Sequence, residues 1–292
     1  MHKLIVAKVV SYIQIQNLSL SNMKINLLLI SFFSVFIIMN LSFLPARPKP
    51  VLHEETVIYT VDGVTMKGLV VWDKSSTAKR PAVLVVHEWW GLNDYARSRA
   101  RQLATMGYIA MAVDMYGDGK TAADPTQAKQ LATPFYLNPV MAKTRLDAAI
   151  AKLKENSVTN PGKMAAIGYC FGGSVVLNAA KLGADLKGVV SFHGGLAGVP
   201  ADSKLLKARI LVCNGEADNF VPQKDIADFK HQMDSIGADY TFKSYANATH
   251  AFTNPESTAT GKKFSMPIEY NEAADKASWK DMVDFLNVTF AK

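Results

Sequence analysis

"AAIGYCFGGSVVLNAA", residues 165–180, is an apolar run broken by a cysteine and two glycines. Up to Tyr169 the residues favour a buried strand, and from Phe171 onward they favour a helix, so the run predicts a strand and a helix joined through a very tight turn. The turn residue is Cys170, with Gly168 and Gly172 two positions to either side. This spacing fits the nucleophile elbow G-x-S-x-G, with Cys in place of Ser. A nucleophile projecting from so sharp a turn needs glycines beside it, because side chains there would collide with neighbouring backbone. The first N–H groups of the helix point at the sulfur and favour the thiolate. A buried, inert cysteine next to a glycine-rich turn is the plain alternative for the motif alone.

The same alternation extends outward in both directions. "PAVLVVHE" (81–88), "YIAMAVDM" (108–115), "KMAAIGYC" (163–170), "LKGVVSFHG" (186–194) and "ARILVCNG" (208–215) are nearly continuous apolar runs, as in strands covered on both faces. Helical spacing appears over 94–106 with Gly107 as the stop, within a long stretch of 124–156, at Ile226, Phe229, Met233 and Ile236, and at Trp279, Met282, Val283 and Leu286. A further strand is expected around "YTFKSYA", and "EETVIYTV" and "MKGLVVW" flank Asp62-Gly63 as a hairpin. Strands alternating with helices predict one domain over residues 54–292, with a mostly parallel sheet between two helical layers.

Residues 1–53 are of another kind. From Ile25 to Ala46 no residue is charged, and Lys24 precedes the run. Such a stretch is long enough to cross a bilayer and resembles a signal peptide or an anchor. We therefore expect residues 1–46 to direct export, cleaved or retained as a membrane anchor, into a periplasmic or other extracytoplasmic location. Met23 is an alternative start that makes 1–22 upstream sequence. "RPKPVLH" (47–53) reads as a linker. The formal net charge is +7, but residues 1–46 contain three lysines and no acid, so the rest is milder and dispersed. No basic stripe interleaved with aromatics appears, which argues against a nucleic-acid partner. The two cysteines are expected to stay reduced: one strand separates theirs, which sets the Cα atoms roughly 9–10 Å apart, beyond disulfide reach.

Two more segments bear on Cys170. "LVCNGEADNFVP" (211–222) places Asp218 just past a strand, and "YANATHAF" (245–252) places His250 in a loop after the next one. Nucleophile, acid and histidine thus follow one another as in α/β-hydrolases, with His250 as base and Asp218 holding its tautomer. The predicted fold class is accordingly a three-layer α/β/α-hydrolase fold. In "VVHEWWGLN" (85–93) the backbone N–H of Trp89 can pair with that of Phe171 as an oxyanion hole. Glu88 is a carboxylate where an ordinary hydrolase needs none; pairing with an arginine at 97–101 is its bland role. His87 and His193 read as core or supporting histidines, His231 as solvated, and Cys213 as a small buried hydrophobe. Trp89 and Trp90 fit pocket walls and core packing equally well.

Together "HEWWGLN", "DMYGDGK" (114–120), "GYCFGG", "GEADNFVP" and "ATHAF" resemble the dienelactone hydrolase family over roughly residues 54–291. The resemblance implies a Cys170–Asp218–His250 triad, with Glu88 holding the thiol proton at rest and helping to form the thiolate when substrate arrives. It implies no metal and no organic cofactor. Dienelactone-cleaving members hold a substrate carboxylate with two arginines; here "GDGK" follows Tyr116, and Asn254 stands four residues after His250. Lys120 is the nearest substitute cation. Trp90, Tyr116, Lys120, Phe252 and Asn254 are taken as candidate pocket residues, and Trp89, Phe171 and Phe252 as further apolar walls. The expected activity is hydrolysis of a small-molecule ester or lactone, of the carboxymethylenebutenolidase type, through a cysteinyl acyl intermediate. Thioester or peptide substrates on the same scaffold are alternatives, as is a non-catalytic, membrane-tethered binding protein. A binding site has no need of the ordered triad types and Glu88. A monomer is expected.

Overall fold

Strand β3 (Arg80–Val86) sends its side chains alternately into two cores: Leu84 and Val86 into one, Val83 and Val85 into the other. From Pro81 onward the strand is apolar at every position and so satisfies both faces of the sheet at once, which is why the run carries no polar alternation. The computed structural model describes residues 49–291. Around β3 lie β1 (Leu52–Val61), β2 (Val64–Asp73), α1 (Asp94–Thr105), β4 (Ile109–Val113), α2 (Pro125–Leu137) and α3 (Pro139–Lys154). There follow β5 (Thr159–Tyr169), α4 (Phe171–Lys181), β6 (Gly188–Phe192), β7 (Arg209–Gly215), α5 (Gln223–Ser235), β8 (Tyr240–Tyr245), α6 (Ser257–Phe264) and α7 (Glu272–Ala291).

The eight strands form one sheet in the order β1-β2-β4-β3-β5-β6-β7-β8. From β4 to β8 neighbours run parallel, while β1–β2 and β2–β4 are antiparallel. Helices α2 to α5 cover one face through residues such as Phe135, Leu146, Val176 and Phe229, and α1 and α7 cover the other through Leu103, Met282 and Leu286. The expected three-layer α/β/α-hydrolase fold is therefore present. The Asp62-Gly63 hairpin is also present, with both residues at positive φ (48° and 76°) and Val61 opposite Val64; two-residue hairpins favour such turns.

Several boundaries differ from the sequence expectation. The 124–156 stretch is two helices, because a residue ahead of proline is pushed out of helical geometry. Asn138, before Pro139, has φ −130° and ψ 80°, and its side chain caps α3 by accepting from Met141 N at 3.0 Å. β3 ends at Val86, which leaves His87 and Glu88 in the loop beyond it. Ile236 caps α5 instead of lying within it, and the short helix α6 had no periodic signal long enough to be read.

Cys170 follows β5 and Cys213 lies in β7, with β6 between them, and both thiols are free. Burial pushes the Cys213 thiol up to about 12, as for a small hydrophobe packed away from water. His231 is exposed on α5 as expected. The signal or anchor segment 1–46 falls outside the described residues, as do residues 47 and 48 of the expected linker; its end at residue 53 is corrected, because Leu52 and His53 already belong to β1. Among the described residues no helix is long and apolar enough to cross a membrane.

Candidate active site

The elbow is built by glycine on either side of a strained residue. Cys170 has φ 52° and ψ −113°, a conformation L-residues avoid. A Cβ on Gly168 would lie 2.1 Å from Gly172 O, and one on Gly172 would lie 2.3 Å from Val86 O. Both approaches are possible only for glycine. Gly172 N also donates to His87 O at 3.1 Å, which ties the start of α4 to the loop after β3.

His250 and Asp218 reach the same end of the sheet from the loops after β8 and β7. His250 Nδ1 lies 2.9 Å from Asp218 Oδ2, and the Asp218 side chain is fully buried while its Oδ1 accepts from Phe220 N at 2.8 Å. Burial by itself would lower the His250 pKa. Interactions with the Cys170 sulfur and the Asp218 carboxylate outweigh it and raise the imidazole to about 10. A parallel bridge between His250 and Ile268 fixes the loop from its far side.

Glu88 is buried and pairs with no arginine among the described residues. Its Oε2 accepts from Asn254 Nδ2 at 2.7 Å, and burial raises its carboxyl above the ordinary range. The neighbouring loop is held by Tyr116, whose hydroxyl donates to Trp89 O at 2.9 Å. The N–H groups of Trp89 and Phe171 donate to no protein acceptor among the described residues.

Cys170, Glu88 and His250 open onto one cavity of about 430 Å³. Trp89 and Trp90 form one wall, so the tryptophans serve as pocket walls; Ala132, Tyr136, Phe220, Met266 and Ile268 supply most of the remainder. Lys129 is the one lysine or arginine on its lining among the described residues. Of the candidate pocket residues only Trp90 lines this space. Tyr116 is buried behind Trp89. Lys120 is exposed and pairs with Asp118 at 3.1 Å, with its segment drawn aside by a bridge from Gly91 to Thr121. Phe252 is fully buried in the core beneath the sheet end, since its side chain points inward. Asn254 spends its amide on Glu88 and on capping Glu256 N at 3.0 Å. Phe171, also taken as a wall, packs wholly in the core. Sequence reasoning missed Ala132, Met266 and Ile268, and also the two aromatic wall residues Tyr136 and Phe220. Both are about half exposed aromatics (51% and 49%) at an element end and in a loop, a signal visible only once burial is known.

The fold and this strand-end constellation define an α/β hydrolase. A family model described as the dienelactone hydrolase family matches residues 66–290. The chain belongs to that family. It is 30% identical over 205 residues to "Protein usf" of Aquifex pyrophilus, covering 68% of this chain and 87% of that one. To a protein of Aquifex aeolicus provisionally named a carboxymethylenebutenolidase it is 29% identical, with the same two coverages. Its structure resembles the crystal structure of a dienelactone hydrolase-like promiscuous phosphotriesterase from metagenomic libraries. The TM-score is 0.77 at 30% identity, over 82% of this chain and 99% of the other. The chain is thus a hydrolase of dienelactone hydrolase type.

Proposed function

We propose that the protein hydrolyses a neutral carboxylic ester or lactone through an acyl intermediate on Cys170. The observation that carries this reading is the Asp218–His250 pair at 2.9 Å, set in the same cavity as a cysteine held on a strained elbow.

Once substrate arrives, the Cys170 thiol gives its proton to His250, which stands as an imidazolium beside the sulfur. The sulfur attacks the carbonyl carbon, and the tetrahedral oxyanion is received by the free N–H groups of Trp89 and Phe171. His250 gives its proton to the leaving alkoxide as the carbon–oxygen bond breaks. Acylation removes the sulfur's negative charge, so the main support of the raised His250 pKa disappears and the imidazole becomes a base. It then takes a proton from water as the water attacks the thioester, the acid departs, and the thiolate is restored. Asp218 keeps the Nδ1 proton in place throughout. Glu88 opens onto the same cavity as the sulfur, its carboxyl raised by burial, and on the family resemblance it engages the thiol proton in the resting site before His250 takes it.

The substrate is read from the walls. A carboxylate-bearing substrate needs a cationic fork, in which each charge-assisted hydrogen bond contributes about 1.5–3 kcal/mol. Asn254 and Lys120 do not reach the cavity, and Lys129 alone is no fork. Turnover of p-nitrophenyl acetate should be present in the wild type and lost in Cys170→Ala. A neutral aryl ester should give the higher kcat/KM against a matched ester carrying a carboxylate. Activity retained without the thiol would overturn the mechanism, and a clear preference for the anion would return dienelactone-type acids to first place.

Export remains part of the proposal, resting on the uncharged run of residues 25–46. Mass spectrometry of the native N-terminus and fractionation of cells test it.

A further inference from the structure

His193 stands at the end of β6, one strand from Cys170. It is fully buried, and its φ of 41° is another strained value. The Cys170 N–H forks between Phe192 O at 2.9 Å and His193 Nδ1 at 3.1 Å. A ring nitrogen that accepts carries no proton, so the imidazole proton sits on Nε2 and is donated to Thr253 Oγ1 at 2.7 Å. Thr253 lies three residues beyond His250 and is itself anchored. Its hydroxyl meets Tyr95 Oη at 2.6 Å, and its carbonyl accepts from Arg99 Nη2 at 2.6 Å. Arg99 pairs with Asp275 of α7. One chain of contacts therefore runs from the amide of the elbow, through a single imidazole, to the loop that carries His250, and on to α1 and α7.

The groups facing this ring keep it in one state. Tyr169, His250 and Phe252 pack around it with ring centres 6.0, 5.3 and 5.3 Å away. Cys170 approaches from the elbow, and Tyr95 and Arg99 stand behind Thr253. Burial disfavours an imidazolium here, and the positive charges of His250 and Arg99 add to it, so the ring is neutral through the ordinary pH range. Its tautomer is fixed, and both of its hydrogen bonds hold whatever the state of His250.

We propose that His193 is a positioning residue for the reaction at Cys170: by bridging the Cys170 amide to Thr253 it sets the spacing between the nucleophile and His250. This rests on the reading of Cys170 as nucleophile and His250 as its base. Acyl transfer is sensitive to such spacing, and a displacement near one ångström can lower rates roughly a hundredfold.

The test compares wild type, Cys170→Ala, His193→Phe, Thr253→Val and the double variant of 193 and 253. The readouts are p-nitrophenyl acetate turnover and the pH profile of Cys170 alkylation by iodoacetamide. Phenylalanine keeps the ring volume and its packing while removing both nitrogens. The expected result for His193→Phe is a kcat lowered roughly ten- to a hundredfold, with KM changed by less than about twofold. The midpoint of alkylation should also move to higher pH, because a displaced His250 no longer supports the thiolate. Thr253→Val should act in the same direction, and the double variant should be no worse than the worse single one, as for two links of one chain. Wild-type kcat and an unmoved alkylation profile in folded His193→Phe would overturn the proposal, as would losses that multiply in the double variant. Should His193→Phe not fold, Thr253→Val, which exchanges a hydroxyl for a methyl, decides on the same two readouts. Undiminished turnover in Cys170→Ala removes the underlying reading of the site. Loss there with wild-type behaviour at 193 and 253 removes only the positioning role.

Discussion

Cys170 combines a strained backbone with a reactive environment, and Cys213 has neither. Iodoacetamide should therefore place a single label on the native protein, at Cys170, and inactivate it; peptide mapping reads the site directly. Labelling of Cys213 with Cys170 untouched would contradict the assignment. His250 makes a second expectation, about pH. Its pKa is raised from 6.5 to about 10 in the folded state, with the Cys170 sulfur as the largest favourable cause. On the proposed mechanism the proton it carries near pH 7 is the one the sulfur gives up, so the pair gains none on folding there, and the contribution is lost only as pH rises through the folded value. Urea unfolding should show stability nearly flat near pH 7 and falling toward pH 10, and His250→Gln should remove that alkaline fall. At this scale the residues that the fold brings together at the strand ends were readable because local turns announce them: an elbow with its glycines, an acid past a strand, a histidine in a loop. What could not be read is which way a neighbour points. Phe252 is two residues from His250 and faces the core, and Asn254 is spent on Glu88.

Helix α4 begins at the elbow and ends on Lys181, which is 3% exposed, with its ammonium 5.5 Å from the Phe229 ring centre. Burial lowers its pKa from 10.5 to about 8. The unfolded chain thus holds more protons between pH 8 and 10.5, and this group makes stability rise with pH across that window. Below pH 8 the cost of burying the charge is present in full. Lys181→Met keeps the stem and removes the charge, and should stabilise the protein at pH 7 by about 1–3 kcal/mol. Chemical unfolding at pH 7 and 10 checks both points. At the other end of the helix, Gly172→Ala puts a methyl 2.3 Å from Val86 O. It should cost about 2 kcal/mol or more and reduce turnover by displacing Cys170. The elements themselves were mostly legible, since apolar runs and helical spacing survive in the sequence. The misread ones failed for local reasons, such as Pro139 dividing what periodicity presented as one helix, or α6 being too short to show a period.

The described residues from Pro50 onward form one compact unit with a core on each face of its sheet. A chain beginning at residue 48 should therefore fold and turn over ester without the apolar N-terminal run. Insoluble or unfolded protein from that chain would show the run to be part of the core. Sheet order has a further consequence for the order in which function arises during synthesis. β3 leaves the ribosome early, yet one of its partners is β5, and the bridge that secures the His250 loop ends at Ile268. Pairings so distant in the chain close slowly. A growing chain therefore exposes Cys170 well before Asp218 and His250 exist. On the proposed mechanism the reactive sulfur is a property of the finished molecule, and a ribosome-held chain ending before residue 250 should alkylate no faster than a free cysteine.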